Sequence, residues 1–329
     1  MKKLQSQLPR WLAAAALALS ALPLAAPAQA ADYPDKPIRM FVPFPPGGAV
    51  DILGRLMAQH LGQQMNQSVI VENRAGANGS IGNEAAAKAN PDGYTLLLGA
   101  NGLATNTALY PKRAFSELTA LAPVAYLGSS PLIMVVPKDS PFHTLKDVID
   151  LAKTDPSKVA YASAGPGSSA HLGSELLKSV AKVGMLHVPY KGGAPAIIDL
   201  TAGRVQFMLL DPPQAMPQIK SERLRAIVVG SASRLPLLPD VPSATDAGYP
   251  GFEATVWWGF AVPKGTPPEI IARLNKEINT AVNSPDVQKV LTDMGVITKP
   301  GTPEQFGTFI NEQAAKWSTI IKGANITAE

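Results

Sequence analysis

Cysteine is absent from the 329 residues, and Asp, Glu, Lys and Arg together make up only 16% of them. The first absence excludes disulfides, thiolate metal sites and a lipid anchor carried on cysteine. Histidine is scarce too: His60, His143, His171 and His187 are the whole supply and form no H-E-x-x-H or comparable cluster, which leaves a metal centre few ligands. A G-x-S-x-G elbow and a G-x-x-x-x-G-K-[ST] phosphate loop are both missing, removing the signatures of an α/β hydrolase and of a P-loop enzyme. Ser168 and His171 lie three apart on one helix face, but a hydrolase needs its base oriented by a third group and none is offered. The expectation is a non-enzyme with no cofactor and no metal. Repeats of fixed period, low-complexity tracts and long charge runs are also missing.

What is present begins with a leader. Lys2, Lys3 and Arg10 precede an apolar stretch from Trp11 to Ala25, and Ala28-Gln29-Ala30 has the A-x-A form of a cleavage site. Pro23 and Pro27 interrupt the stretch, which is too short to span a bilayer comfortably, so residues 1–30 are read as a cleavable secretory signal and the mature chain as starting at Ala31. Removing the leader takes three basic and no acidic residues from 29 basic and 25 acidic, leaving a formal charge of +1. A near-neutral surface gives no electrostatic case for nucleic acid. About 300 residues with 46% apolar content suffice for two cored domains.

The stretch Ile38 to Leu61 sets the grammar of the chain: an apolar strand (Ile38 to Val42), a Pro/Gly loop (Pro43 to Gly48) and a helix carrying Leu53, Leu56, Met57 and Leu61 on one face. Ser68 to Glu72, Ile81 to Ala89 and Tyr94 to Leu98 extend it to βαβαβ, which implies a parallel sheet. A second series starts at Leu132 to Val136, with strands at Lys158 to Ala162, Met185 to Val188, Val205 to Leu209 and Arg225 to Val229. Helices at Thr144 to Lys153, Ser169 to Ala181 and Pro195 to Ala202 alternate with them. Glu253 to Val262 reads as a further strand, and three amphipathic helices after it, starting near Pro267, Asp286 and Pro303, are expected to pack back on the first domain. The expected partition is 31–128 (first lobe), 129–252 (second lobe) and 253–329 (return strand and C-terminal helices). Two extended crossings, near Val124 to Val136 and Glu253 to Val262, would form a hinge.

Three loops share one chemistry. Gly47 and Gly48 let a ligand approach the backbone, and the N–H groups opening the following helix lack intrahelical partners, a setting that attracts anions. Ser163 to Ser169 and Pro189 to Pro195 repeat the pattern in the second series. Gly165-Pro166-Gly167-Ser168-Ser169-Ala170 matches G-x-G-x-x-A formally, but no acidic residue stands about twenty positions on, so a nucleotide is not inferred.

The segments PDKPIRMFVPFPPGGAVDILGR, VENRAGANGSIGNEAAAKANPDGYTLLLG, YASAGPGSSAHL, HVPYKGGAPAIIDLTAGRV, LPDVPSATDAGYPGFEAT and GTPEQFGTFI together resemble the Bug family, the periplasmic solute receptors of tripartite tricarboxylate transporters. The resemblance spans 33–325 in order. It implies an α/β, two-lobed periplasmic binding protein of Venus-flytrap form (type II-like) that captures a small carboxylate, such as a di- or tricarboxylate or an aromatic acid. It also implies delivery to membrane permease subunits by a receptor expected to be a monomer. On this resemblance one carboxylate would sit on Phe44 to Asp51, with Phe44, Pro46, Gly47, Gly48, Ala49 and Asp51 as candidate contacts. The second lobe would add Ser163, Ala164, Gly167, Ser168 and Ser169, and Asn101, Lys191 and Asp211 complete the candidate set. A periplasmic sensor would use the same capture chemistry, and a hydrolase is the remaining alternative. Individual side chains keep plainer readings: Asp51 can serve the helix dipole, His171 can be structural, and Asp211 can cap the following helix. Under period-2 alternation at most one of Trp257 and Trp258 lines a cleft.

Overall fold

The computed structural model describes residues 33–113 and 115–326. The leader assigned to residues 1–30 lies outside the described residues.

Strands β1 (Ile38–Val42), β2 (Val69–Asn73) and β3 (Thr95–Ala100) pair in parallel in the order β2-β1-β3. Helix α1 (Ala49–Met65) returns over them with Leu53, Met57 and Leu61 fully buried. At about 1.5–3 kcal/mol for each fully buried side chain of this size, that face alone fixes the helix on the sheet. Leu56 lies at the edge of the face and is half-buried. A Cβ on Gly54 would come within 2.9 Å of Val42 Cγ2, so this glycine sets how closely the helix approaches. Helix α2 (Ser80–Ala87) leads from β2 to β3. Helices α3 (Gly102–Leu109) and α4 (Glu117–Ala120) then lead into β4 (Leu121–Pro131).

The second sheet has the order β7-β6-β8-β5-β9, from β5 (Ile133–Pro137), β6 (Ala160–Ser163), β7 (Leu186–Pro189), β8 (Phe207–Leu210) and β9 (Leu224–Val229). Its helices are α5 (Leu145–Thr154), α6 (Ser169–Ala181), α7 (Gly193–Thr201) and α8 (Pro212–Lys220). Helix α5 starts with a reciprocal capping box between Thr144 and Asp147. Helix α7 ends at Thr201 with Ala202 as its C-cap, and Gly203 follows at φ +70°.

Neither sheet is wholly parallel. Strand β10 (Thr255–Pro263) runs antiparallel between β3 and β4, and β5 runs antiparallel between β8 and β9. Each is a strand that enters its sheet from the other lobe, and a crossing strand arrives against the local βαβ direction. The order β2-β1-β3-β10-β4 therefore repeats as β7-β6-β8-β5-β9. Helices α9 (Pro268–Asn283), α10 (Pro285–Asp293) and α11 (Pro303–Gly323) follow. Helix α9 packs on α1 and β4, and α11 on α3 and β4.

The chain passes from one sheet to the other at Leu132 and returns between Val229 and Thr255. The two passages are tied by backbone bonds: Leu132 N–H to Ala254 O (2.9 Å), Gly230 N–H to Leu132 O (2.8 Å) and Ala254 N–H to Gly230 O (3.0 Å). Two strands held at one point, with a separate sheet on either side, form a hinge in the structural sense.

Candidate functional site

A cleft of about 620 Å³ lies between the two sheets. Its first wall comes from the β1–α1 loop (Phe44, Pro45, Gly48, Ala49), the turn Ala75–Gly79, and the start of α3. Its second wall comes from the β6–α6 loop (Ala164, Gly165, Pro166, Ser168 and Ser169), Tyr190 to Gly193 before α7, and Asp211 before α8. Leu132, Met208, Leu209, Leu210, Val256 and Trp258 make an apolar interior. Among the described residues, Lys191 and Asp211 are the only Lys, Arg, His, Asp or Glu side chains that line the cleft. Gly192 stands opposite Pro45, within 3.8 Å for an added Cβ, so the two walls meet at the rim.

Helix starts converge on this space. Gly48, at the N-cap of α1, and Gly192, at the N-cap of α7, offer no side-chain cap. The N–H groups of Ala49 and Val50 have no partner among the described residues, and α6 presents those of Ser169 and Ala170 beside its cap Ser168. Partial positive charge at several helix ends, in a cleft nearly free of charged side chains, suits an anion.

The first loop is braced from behind. Asp51 is 3% exposed; its carboxylate accepts from Gly47 N–H (3.0 Å), Asn73 Nδ2 (2.9 Å) and Arg55 Nε (3.1 Å). Burial by itself would raise its pKa, but these partners hold it below the usual carboxylate range. Asn73 also donates to Phe44 O (3.1 Å), fixing both ends of the loop. The second loop has an equivalent brace. His171 Nδ1 accepts from Gly167 N–H (3.0 Å), and Ser163 Oγ accepts from Gly165 N–H (3.1 Å) while sharing a hydrogen bond of 2.6 Å with His187 Nε2. The two imidazoles stack with centroids 3.9 Å apart at 8°. Burial lowers both their pKa values, and His171 adds to the effect on His187, which falls to about 4.

Nine of the fourteen candidate residues line the cleft: Phe44, Gly48, Ala49, Asn101, Ala164, Ser168, Ser169, Lys191 and Asp211. Lys191 is exposed at the rim. Pro46, Gly47, Asp51, Ser163 and Gly167 do not line it; the last four sit behind the loops as braces. Gly47 N–H is occupied by Asp51, so the open donors begin at Ala49 rather than at the first glycine. Asn101 reaches the cleft, but its side chain is spent on the return strand, donating to Thr255 O (3.0 Å) and accepting from Trp257 N–H (2.9 Å). Asp211 caps α8, accepting from Gln214 N–H (3.1 Å) and Gln214 Nε2 (2.8 Å); burial pushes its carboxyl up to about 6. Trp258 faces the cleft and Trp257 the first core, edge-on to Phe306 and Phe309. Sequence reasoning missed Asn78, Tyr110, Tyr190 and Gln214 as wall residues. Period-3.6 spacing had no means of finding them, because each owes its place to a turn or to a neighbouring cap.

The model of the tripartite tricarboxylate transporter family receptor matches residues 53–326. The UPF0065 protein in the tcbD-tcbE intergenic region of Pseudomonas sp. (strain P51) is 41% identical over 290 residues, 88% of this chain and 86% of that one. Protein BugT of Bordetella pertussis is 38% identical over 315 residues, 95% and 97% of the two chains. Among solved structures, the periplasmic binding protein BugD superposes with a TM-score of 0.84 at 33% identity, covering 90% of this chain and 100% of its own. R. palustris Rpa4515 with adipate gives 0.86 at 32%, covering 90% and 99%, and MatC from Rhodopseudomonas palustris with bound malate gives 0.82 at 31%, covering 88% and 100%. With the same two-sheet architecture and a family match across nearly all of the described residues, the chain belongs to the tripartite tricarboxylate transporter receptor family.

Proposed function

We propose that the protein is a periplasmic receptor that captures a small carboxylate between its two lobes and delivers it to the membrane permease of a tripartite tricarboxylate transporter. The observation that carries this reading is the cleft, where unpartnered N–H groups at helix starts from both lobes meet in a space almost free of charged side chains. Such a site binds an anion by directed backbone donors and helix dipoles, and backbone donors do not demand one ligand shape. Relatives of the same fold hold adipate and malate, both dicarboxylates, which supports a carboxylate here. Phe44, Gly48, Ala49, Ala164, Ser168, Ser169, Lys191 and Asp211 are the proposed contacts, with Asp51, Ser163 and Gly167 setting the loops, Asn101 tying the return strand to the cleft, and Pro46 shaping the first loop. The leader would be removed after Ala30, and the receptor would act as a monomer of lobes 31–128 and 129–252, with 253–329 returning to the first.

A thermal-shift screen of mono-, di- and tricarboxylic acids, aliphatic and aromatic, tests the reading. An acid present at about 100 times its dissociation constant stabilises the native state by roughly 2.7 kcal/mol. At least one acid should raise the melting temperature, and its amide or ester should not. A screen in which sugars or amines shift the protein and no acid does would end the proposal.

A further inference from the structure

Behind the second ligand loop lies a network of side chains that the capture of an anion does not itself require. His171 on α6 is 7% exposed and its Nδ1 accepts from Gly167 N–H. That bond fixes the tautomer: Nδ1 carries no proton, and Nε2–H faces Glu175 Oε1 at 4.0 Å. The ring stacks on His187 of β7, which in turn stacks on Tyr161 of β6 at 5.0 Å between centroids. Tyr161 donates to Glu175 (2.6 Å), and Lys178 completes the ring of charges, 2.7 Å from the same carboxylate oxygen. His187 reaches the loop through Ser163, whose hydroxyl accepts from Gly165 N–H. The two imidazoles therefore hold two of the backbone N–H groups that shape the loop.

We infer that the stacked pair His171–His187 positions the second ligand loop, and that uptake of a proton by the pair weakens ligand binding. This rests on the carboxylate-receptor reading above. The only free site for a proton on His171 is Nδ1, and a proton there sets donor against donor at Gly167, releasing the loop that carries Ser168 and Ser169 into the cleft. Two cations cannot share faces 3.9 Å apart, so the first proton also repels the second. Glu175 favours the charged form; burial, the neighbouring ring and Lys178 oppose it, and both rings titrate below the ordinary histidine range. A cationic ring behind the loop would also attract an anion. That attraction acts at a distance, whereas loss of the loop removes contacts at the ligand itself, so binding falls.

The residues are positioning groups, and their test uses substitutions that keep the acceptor and remove the proton. In His171→Asn the amide oxygen stands where Nδ1 stands, and in His187→Gln the amide stands where Nε2 stands. Nitrogen-15 NMR of the ligand-free protein from pH 8 to pH 4 should show the Gly165 and Gly167 amides titrating in wild type and static in the double variant. Calorimetry with adipate, malate and benzoate should find the double variant close to wild type at pH 7. At pH 4 wild type should have lost at least about twofold more affinity, since half of a site is protonated at its pKa. His171→Ala should bind poorly even at pH 7. Titration of the ligand and of Asp211 is common to both proteins and cancels. Loop amides that ignore pH in wild type, equal affinity losses in wild type and double variant, or tighter binding in acid would overturn the inference. If the amides titrate as expected but none of the three acids binds at any pH, the receptor reading fails instead and takes the affinity claim with it.

Discussion

At the scale of the residue, Gly48 and Asp211 show how the cleft is built at the expense of local stability. Gly48 has φ −81° and ψ 168°, a conformation any residue adopts, and an added Cβ would meet only Pro45 O at 3.5 Å. Its lack of a side chain serves the cleft and not the fold. Gly48→Val should therefore leave the apo melting temperature nearly unchanged while weakening acid binding by tenfold or more, about 1.4 kcal/mol; a large loss of apo stability with intact binding would contradict this. Asp211 is the opposite case. Its pKa is raised from the usual 3.8 to about 6 by burial, so between those values the folded state keeps a proton that the unfolded state has released. Stability is lost as pH rises through this window, and above pH 6 the loss is complete, on the order of 3 kcal/mol. Asn caps a helix as well as Asp, so Asp211→Asn should be the more stable protein at pH 8 by up to about that amount and no more stable at pH 4. Urea unfolding of both proteins at the two pH values measures the difference, and an advantage that persists at pH 4 would show that burial of the charge is not its source.

At the scale of the element, the chain was legible wherever one face of an element is apolar and the other wet. Helix α1 announced itself through Leu53, Met57 and Leu61, and α9 through Leu274 and Ile278, both fully buried. Helix α3 did not. Its residues Gly102, Leu103, Ala104, Thr105, Asn106 and Leu109 are all buried, because α11 and the sheet cover it from both sides, so no polar face remains to give a period. Helix α8 was foreshadowed only by its cap Asp211, because Pro212, Pro213 and Pro217 obscure its pattern; the first two fit a helical first turn, where no N–H is needed, and the third stands inside the helix. The mixed sheets escaped for another reason. Strand direction is set by where a chain re-enters a sheet, and the pattern of β10 says only that both faces are buried. The glycine loops were legible as helix-opening loops, and residues of each line the cleft, but whether a given side chain faces the cleft or braces the loop depends on partners distant in sequence. Asp51 with Asn73, and Ser163 with His187, are such pairs.

At the scale of the whole molecule, the lobes touch away from the hinge, and those contacts bear on affinity. Leu172 and Leu176 on α6 of the second lobe pack against Leu109, Trp317 and Ile321 of the first, and an added Cβ on Gly167 would lie 2.3 Å from Leu109 Cδ1. These contacts hold the lobes together on the side away from the hinge, and α6 joins them to the site, since the same helix presents its first N–H groups to the cleft and lays Gly173 against Leu132 and Ala254 at the hinge. A ligand that binds across both walls must draw on the closed population, so its apparent dissociation constant is the intrinsic one divided by the closed fraction. Leu176→Ala removes apolar contact from the lobe interface, and Leu176 itself does not line the cleft. It should enlarge the radius of gyration of the ligand-free protein in small-angle scattering and weaken acid binding several-fold. At ligand saturation the scattering should coincide with that of wild type, because the bound form closes in both. If the variant binds as wild type does and scatters alike with and without the acid, the interlobe contact has no part in closure, and the affinity of this receptor is set within the cleft alone.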